Sequence, residues 1–255
     1  MRIEDLKVYV TTSNNYIHVL KIFSYLFNKF WGSHQKVIVA GFDVHPDFDL
    51  PDNFEFVSLG KQEIPYVDFS KDMRKLIDII DDEYFIHFEE NEFIIRHVDF
   101  EVMKSFQPYI NPKLGRVDFT KGTSIRAHTI IENKKDHDII FANNDTDYRI
   151  SIRAGIWNKS YLLSHCQDPV STYQFEHYAT ARSRNDGFNI ISSNRKWAIT
   201  NMDGVKHTIG PFISNLRSLP PSRSHGIAID EETIQELIDL KIVTPLSNGM
   251  FELIK

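Results

Sequence analysis

The sequence predicts an α/β fold, and three observations carry that expectation. Strand-like and helix-like segments alternate through the first 90 residues in the order strand, helix, strand, strand, helix, strand. Such alternation builds a mostly parallel sheet with helices on its faces. The segment KVIVAGF (36–42) is a continuous apolar run, which a strand buried on both faces requires. The chain has 255 residues, 42% apolar and 25% charged, which suits one large α/β domain with or without a small C-terminal addition. The expected architecture has a Rossmann-like N-terminal half and a mixed central sheet flanked by helices.

The elements follow in order. KVYVT (7–11) reads as the first strand, the polar turn TTSNN follows, and apolar periodicity predicts a helix over 16–30. After KVIVAGF comes the loop HPDFDLPDN (45–53) and the short strand FEFVSL. The loop GKQEIPYVDFS (60–70) leads to a helix over 71–80, and an acidic stretch at 81–83 precedes the strand YFIHF (84–88). A helix is expected over 99–109, then the strand GRVDF (115–119) and a hairpin-like pair around SIRAHTIIE and HDIIFA. YRISIRAGI (148–156) reads as a strand and 159–165 as a helix. Ser171 opens another helix with the capping-box pattern S-x-x-Q, completed by Gln174. Strands FNIIS (188–192) and KWAITN (196–201) follow. The expected division is a main unit over 1–210 and an appendage over 211–255. The appendage holds a Pro-rich loop, a helix from about Asp230 and a hairpin-like turn at 247–249.

Composition excludes some functions. The formal charge is −6, so a nucleic-acid backbone is not the expected partner. The single cysteine, Cys166, makes neither an internal disulfide nor a cysteine-based metal site and reads as a small buried residue. The N-terminus MRIEDLKVYV has no long apolar run, and no charge-free stretch reaches membrane-spanning length. A cytoplasmic protein is expected, with peripheral membrane attachment left open.

Ligands of open parallel sheets bind beyond the carboxyl ends of the strands. Two such ends draw notice. Thr11, Thr12 and Ser13, followed by Asn14 and Asn15, offer hydroxyls, amides and helix N-terminal N–H groups to a base, ribose or phosphate. The alternative is a polar turn with a helix cap. Neither a P-loop nor G-x-G-x-x-G occurs in the first half. Glu89, Glu90 and Glu92 directly follow YFIHF. Like charges so close need solvent, a basic partner or an oxygen-bound divalent cation. Arg153 offers a cation to a phosphate or to these glutamates, or an ordinary ion pair. Trp157 offers a ring to a sugar or to the core.

The segments VYVTTSNN, DFSKDMRKLIDII, YFIHFEENEFI and RISIRAGIWNKSYLLSHCQDPVSTYQFE together resemble the GT-A class of glycosyltransferases, in particular its small bacterial and phage members. The resemblance spans residues 7–201. It implies a nucleotide site at the end of the first strand, lined by Thr11, Thr12 and Ser13. Asp72 and Arg74 would lie in the segment that closes over it. Glu90 and Glu92, with Glu89 nearby, would stand where the class carries its metal-binding aspartates. A late histidine, His207, would add a ligand, and Glu176 would be the base toward an acceptor hydroxyl. The resemblance implies an enzyme that uses Mn²⁺ or Mg²⁺ and moves a sugar from a nucleotide-diphosphate sugar to an acceptor such as a glycan or lipid-linked glycan. A binding protein of the same fold, without transfer, is a second reading, and nucleotidyl transfer, which acids after a strand also serve, is a third, ranked lower because no Gly-rich, Lys-bearing nucleotide loop follows the first strand. The chain departs from the pattern at EENE, since glutamate is one methylene longer than aspartate and its carboxylate reaches a different point. Glu176 also has a local reading, because a carboxylate in the first turns of a helix is stabilised by the helix dipole. The loop SLPPSRSHG (218–226), with Arg217 before it and Arg223 and His225 within it, reads as a lid over phosphates or as a plain linker.

Overall fold

A computed structural model describes residues 2–64, 67–119, 127–167, 169–194, 216–217, 229–245 and 250–254. The strands are β1 (Val8–Thr11), β2 (Val37–Gly41), β3 (Phe54–Ser58), β4 (Tyr84–Glu89), β5 (Leu114–Asp118), β6 (His128–Asn133), β7 (Asp138–Ala142), β8 (Gly155–Asn158) and β9 (Asn189–Ser193). Among the described residues they form one nine-stranded sheet in the order β3-β2-β1-β4-β8-β5-β9-β7-β6. β1 pairs in parallel with β2 and β4, and β2 with β3. β8 runs antiparallel between β4 and β5, and β9 lies parallel to β5. The sheet is therefore mixed, with a parallel Rossmann-like half, as expected. β6 and β7 form the anticipated antiparallel hairpin at one edge.

Two apolar clusters fill the two faces. Val8 and Val10 of β1 join one, while Tyr9 between them joins the other. In β4, Tyr84, Ile86 and Phe88 face the first cluster and Phe85 the second. This alternation inside continuous apolar runs is the signature of a strand buried on both faces. Helix α1 (Leu20–Phe30) covers the first face, where Phe23, Phe27 and Trp31 stack at one-turn spacing with ring centroids 5.9 and 5.3 Å apart. Phe88 meets all three rings. The second face is covered by α2 (Phe69–Asp78), α4 (Lys159–His165) and α5 (Thr172–Ser183), which contribute Met73, Leu76, Leu162 and Phe175. Gly155 marks a close approach in β8: a Cβ there would lie 2.2 Å from the Val117 carbonyl oxygen.

Several boundaries differ from the sequence expectation. The helix expected over 16–30 begins as a 3-10 turn at Ile17–Val19 before α1. The helix expected over 99–109 splits into α3 (Phe100–Lys104) and a 3-10 turn at Gln107–Tyr109. Pro108 has no N–H to continue an α-helical ladder. The strand expected over 148–156 is the largest correction, because only its last two residues enter β8. Residues upstream bond to helix α5 instead: the Ile150 N–H donates to Thr180 Oγ1 at 3.1 Å and the Ile152 N–H to Glu176 Oε1 at 3.1 Å. Arg149 is buried and donates to the carbonyls of Ser183 and Phe188, which turns the chain out of extended pairing. KWAITN, the loop 218–226 with Arg223 and His225, and the turn 247–249 lie outside the described residues.

Near the C-terminus, α6 (Glu231–Asp239) is capped by Asp230, whose side chain accepts from the Thr233 N–H at 2.7 Å. β10 (Leu216–Arg217), β11 (Val243–Pro245) and β12 (Met250–Leu253) form a separate antiparallel sheet. Ile234, Leu237, Val243, Phe251 and Leu253 join the cluster under α1. Glu236 accepts hydrogen bonds from Tyr25 and Lys29 of α1. The segment is docked on the helix by both apolar and polar contacts. Among the described residues no helix is long and apolar enough to cross a membrane.

Candidate functional site

β1 and β4 end side by side, with Thr11 opposite Glu89. Beyond them opens a cleft of about 200 Å³. Thr11, Thr12, Ser13, Asn15 and Tyr16 line it from the β1 turn, and Glu89, Glu90 and Asn91 from the β4 turn. Phe42, Leu59 and Gln62 close a second side, with Phe69, Asp72 and Met73 at the start of α2 and Thr172 at the start of α5. This is the edge where parallel sheets bind ligands. The volume lies below the roughly 300 Å³ at which small-molecule sites usually begin.

The walls are held from behind. The Glu90 N–H donates to the Thr11 carbonyl at 3.0 Å, and the Thr12 N–H to the Ala40 carbonyl at 3.1 Å, which locks the two turns to the sheet. Asn14 braces the mouth: its Nδ2 donates to Asp43 at 2.8 Å, its Oδ1 accepts from the Val44 N–H, and its own N–H donates to Gln62 at 2.9 Å. The hydrogen bonds from Asn14 and the Gln62 backbone hold the Asp43 carboxyl below its ordinary pKa. Behind Thr11, its hydroxyl shares a 3.0 Å hydrogen bond with Nε2 of His87. His87 has no exposure, and burial drives its pKa down to about 3, with the neighbouring Arg116 charge adding to the effect. The histidine is neutral, so it fixes the hydroxyl without adding charge. Arg116 and Asp118, both fully buried, form a 3.1 Å ion pair on β5, one strand beyond β8, and the Arg116 guanidinium lies 4.8 Å over the Trp157 ring of β8.

The three glutamates have separate environments. Glu90 is buried in the cleft wall, and desolvation first, then the Glu89 charge, raises its pKa to about 8. Burial thus favours its protonated form, which can donate a hydrogen bond. Glu89 is half-buried and lines the cleft beside it. Glu92 turns back: its Oε2 accepts from the Glu89 N–H at 3.2 Å, and it has no exposure. Of the expected set Glu89, Glu90 and Glu92, the first two line the cleft and Glu92 does not. Among the described residues no group of three or more His, Cys, Asp and Glu side chains is placed to hold a metal ion. Glu89 and Glu90 fit a smaller role. Magnesium-like ions commonly take one or two carboxylates and complete their shell with water and substrate phosphate.

The other expected residues divide plainly. Asp72 lines the cleft; burial raises its pKa against the opposing pull of Lys75, 3.0 Å away. Arg74 points away from the cleft and donates to the carbonyls of Cys166 and Gln167 at the end of α4. Arg153 is half-buried and does not line the cleft; its carbonyl accepts from Arg116 at 2.8 Å. Glu176 accepts from the Ser151 hydroxyl at 2.7 Å and the Ile152 N–H, so its carboxylate stitches α5 to the chain entering β8. Trp157 is fully buried in the core, and Cys166 is buried with its thiol pushed up to about 12. His207 lies outside the described residues. Gln62 and Thr172 were not foreseen. Both carry a readable signal, since one follows the end of β3 and the other follows the predicted cap Ser171, and both places face the same sheet edge.

Fold and geometry define an α/β protein with a cleft at the carboxyl edge of its parallel strands. No family model matches the chain, and no curated protein matches it in sequence. Among solved structures it is similar to a CMP:2-keto-3-deoxy-manno-octonic acid synthetase complexed with CTP. The TM-score is 0.41 and the identity 12%, over 73% of this chain and 88% of the other. It is also similar to the bifunctional IspDF from Campylobacter jejuni (TM-score 0.39, 8% identity, 69% of this chain and 47% of the other). HddC from Yersinia pseudotuberculosis matches at TM-score 0.36 and 12% identity, over 65% of this chain and 82% of the other.

Proposed function

We propose that the cleft binds the nucleotide part of a nucleotide-diphosphate sugar and that the protein transfers the sugar to an acceptor hydroxyl. The carrying observation is the convergence of Thr11, Thr12, Ser13, Asp72, Glu89 and Glu90 on one cleft at the ligand-binding edge of the sheet. Phe42, Tyr16 and Phe69 supply flat apolar surface for a ring, and the hydroxyls with Asn15 and Gln62 supply its polar partners. Glu90, protonated, donates a hydrogen bond to a base or ribose oxygen; ionised, it joins Glu89. A divalent cation bound by Glu89 and Glu90 would neutralise charge on the leaving diphosphate. The described lining holds no lysine, arginine or histidine. In this reading Arg74, Arg153 and Glu92 support the fold, and Glu176 positions the chain entering β8 instead of serving as base.

The same lack of a cation in the described lining favours a second reading, a nucleotide-binding protein without transfer. Melting curves with UDP, GDP and CDP, each with and without Mn²⁺, separate the two. Nucleotide at about 100 times its dissociation constant adds roughly 2.7 kcal/mol of stability. The transferase reading expects a melting shift that grows with Mn²⁺, and loss of the Mn²⁺-dependent part in a Glu89→Ala, Glu90→Ala variant. A shift indifferent to Mn²⁺ favours binding alone. No shift with any nucleotide contradicts both.

A further inference from the structure

The surface next to the cleft carries an arrangement that the nucleotide reading leaves unused. Thr172 lines the cleft, and Tyr173 follows it on the first turn of α5. Tyr173 is 63% exposed. Its ring centroid lies 4.2 Å from that of His177, one turn along the helix. The ring centroid of Tyr148 lies 5.3 Å from that of His177, and its hydroxyl is 3.5 Å from His177 Nε2. Burial, then the neighbouring Tyr173 and Glu176, raise the Tyr148 hydroxyl above its ordinary pKa.

This cluster is built at a cost to the backbone. Tyr148 has φ of 52°, in the left-handed region that non-glycine residues seldom occupy. Strain of that kind persists only where the surroundings impose it, and it gathers at functional sites. The surroundings here are specific. Arg149 is anchored in the core on the Ser183 and Phe188 carbonyls. Ile150 and Ile152 are pinned to Thr180 and Glu176. With the next residues fixed, Tyr148 is left to turn outward and stand against His177. Packing does not demand it, since Tyr148 is 38% exposed.

We propose that Tyr148, Tyr173 and His177 form a platform for a sugar ring of the acceptor, beside the cleft that takes the donor nucleotide. The proposal rests on the transferase reading for the identity of the acceptor. Exposed rings with polar edges match the two surfaces of a pyranose: C–H groups lie on an aromatic face, and hydroxyls bond to the phenol and imidazole edges. Thr172, which lines the cleft, directly precedes Tyr173, so the platform adjoins the cleft assigned to the donor.

Ligand-observed saturation-transfer NMR on the full chain tests this, using the methyl glycosides of glucose, galactose, mannose and N-acetylglucosamine, with UDP titrated separately. At least one glycoside is expected to receive saturation, and Tyr173→Ala is expected to weaken its binding roughly tenfold. Tyr148→Gly removes a ring while relieving the backbone, so it should bind sugar less well yet melt no lower than the parent. UDP binding should be unchanged in both variants. Absence of saturation on all four glycosides, or equal binding by parent and variants, overturns the platform even if UDP binds. Sugar binding that depends on Tyr148 and Tyr173, in a protein that binds no nucleotide, keeps the platform and removes the nucleotide reading.

Discussion

Glu90 and His87 are two titratable side chains forced neutral in adjacent layers of one site, and their pH effects have opposite sign. Burial raises Glu90 to about 8, so the folded state holds a proton that the unfolded chain releases near its ordinary value of 4.5. Its contribution to stability is present at acid pH and lost as pH rises through about 8. Glu90→Gln is expected to melt higher than the parent at about pH 8, with the difference shrinking toward about pH 5. His87 runs the other way. Its pKa falls from 6.5 to about 3, so it stabilises the fold above its unfolded value, and that contribution is lost as pH falls from 6.5 toward 3. His87→Asn is expected to show a flatter melting profile across that acid range. Melting curves against pH on both variants check the pair; a Glu90→Gln difference that grows toward acid would contradict the assignment. Gly155 adds a steric prediction. Alanine there meets the Val117 carbonyl, and a loss of about 1–3 kcal/mol in denaturant unfolding is expected.

At the scale of elements, α5 joins the most features of the site. Its first turn touches the cleft through Thr172, its next turn fixes the chain entering β8 through Glu176, and its outer face carries Tyr173 and His177. The capping box at Ser171 was legible in the sequence and is present: the Ser171 hydroxyl accepts from the Gln174 N–H at 3.2 Å, and Gln174 Oε1 accepts from the Ser171 N–H at 3.0 Å. Ser171→Ala is expected to cost about 1 kcal/mol in unfolding free energy. On the other face, Phe27 contacts Phe23, Trp31, Phe54 and Phe88. Phe27→Ala is expected to cost about 3–5 kcal/mol, measured by denaturant unfolding, because a ring removed among rings leaves a cavity that they cannot close. The 148–156 segment was misread for a physical reason. YRISIRAGI alternates like a strand, but Arg149 and the α5 side chains satisfy its backbone by tertiary contacts that no local pattern encodes.

For the molecule as a whole, the parallel half of the sheet was legible from alternation, and the polar ends of two strands marked the edge where a cleft opens. Which acids face the cleft was not legible. Glu89, Glu90 and Glu92 share one short stretch, yet Glu92 turns back to the Glu89 N–H while Glu90 stays in the wall. Helix α6 and its sheet dock on α1 through Ile234 and Leu237, a long-range contact that a C-terminal pattern does not announce. The central claim is that a nucleotide occupies the cleft beyond β1 and β4. A crystal structure of the protein with UDP and Mn²⁺ measures this most directly. The account predicts nucleotide density against Thr11, Thr12 and Ser13, with the ion touching Glu89 and Glu90. Nucleotide bound elsewhere, or a cleft filled only by water at saturating UDP, would contradict it.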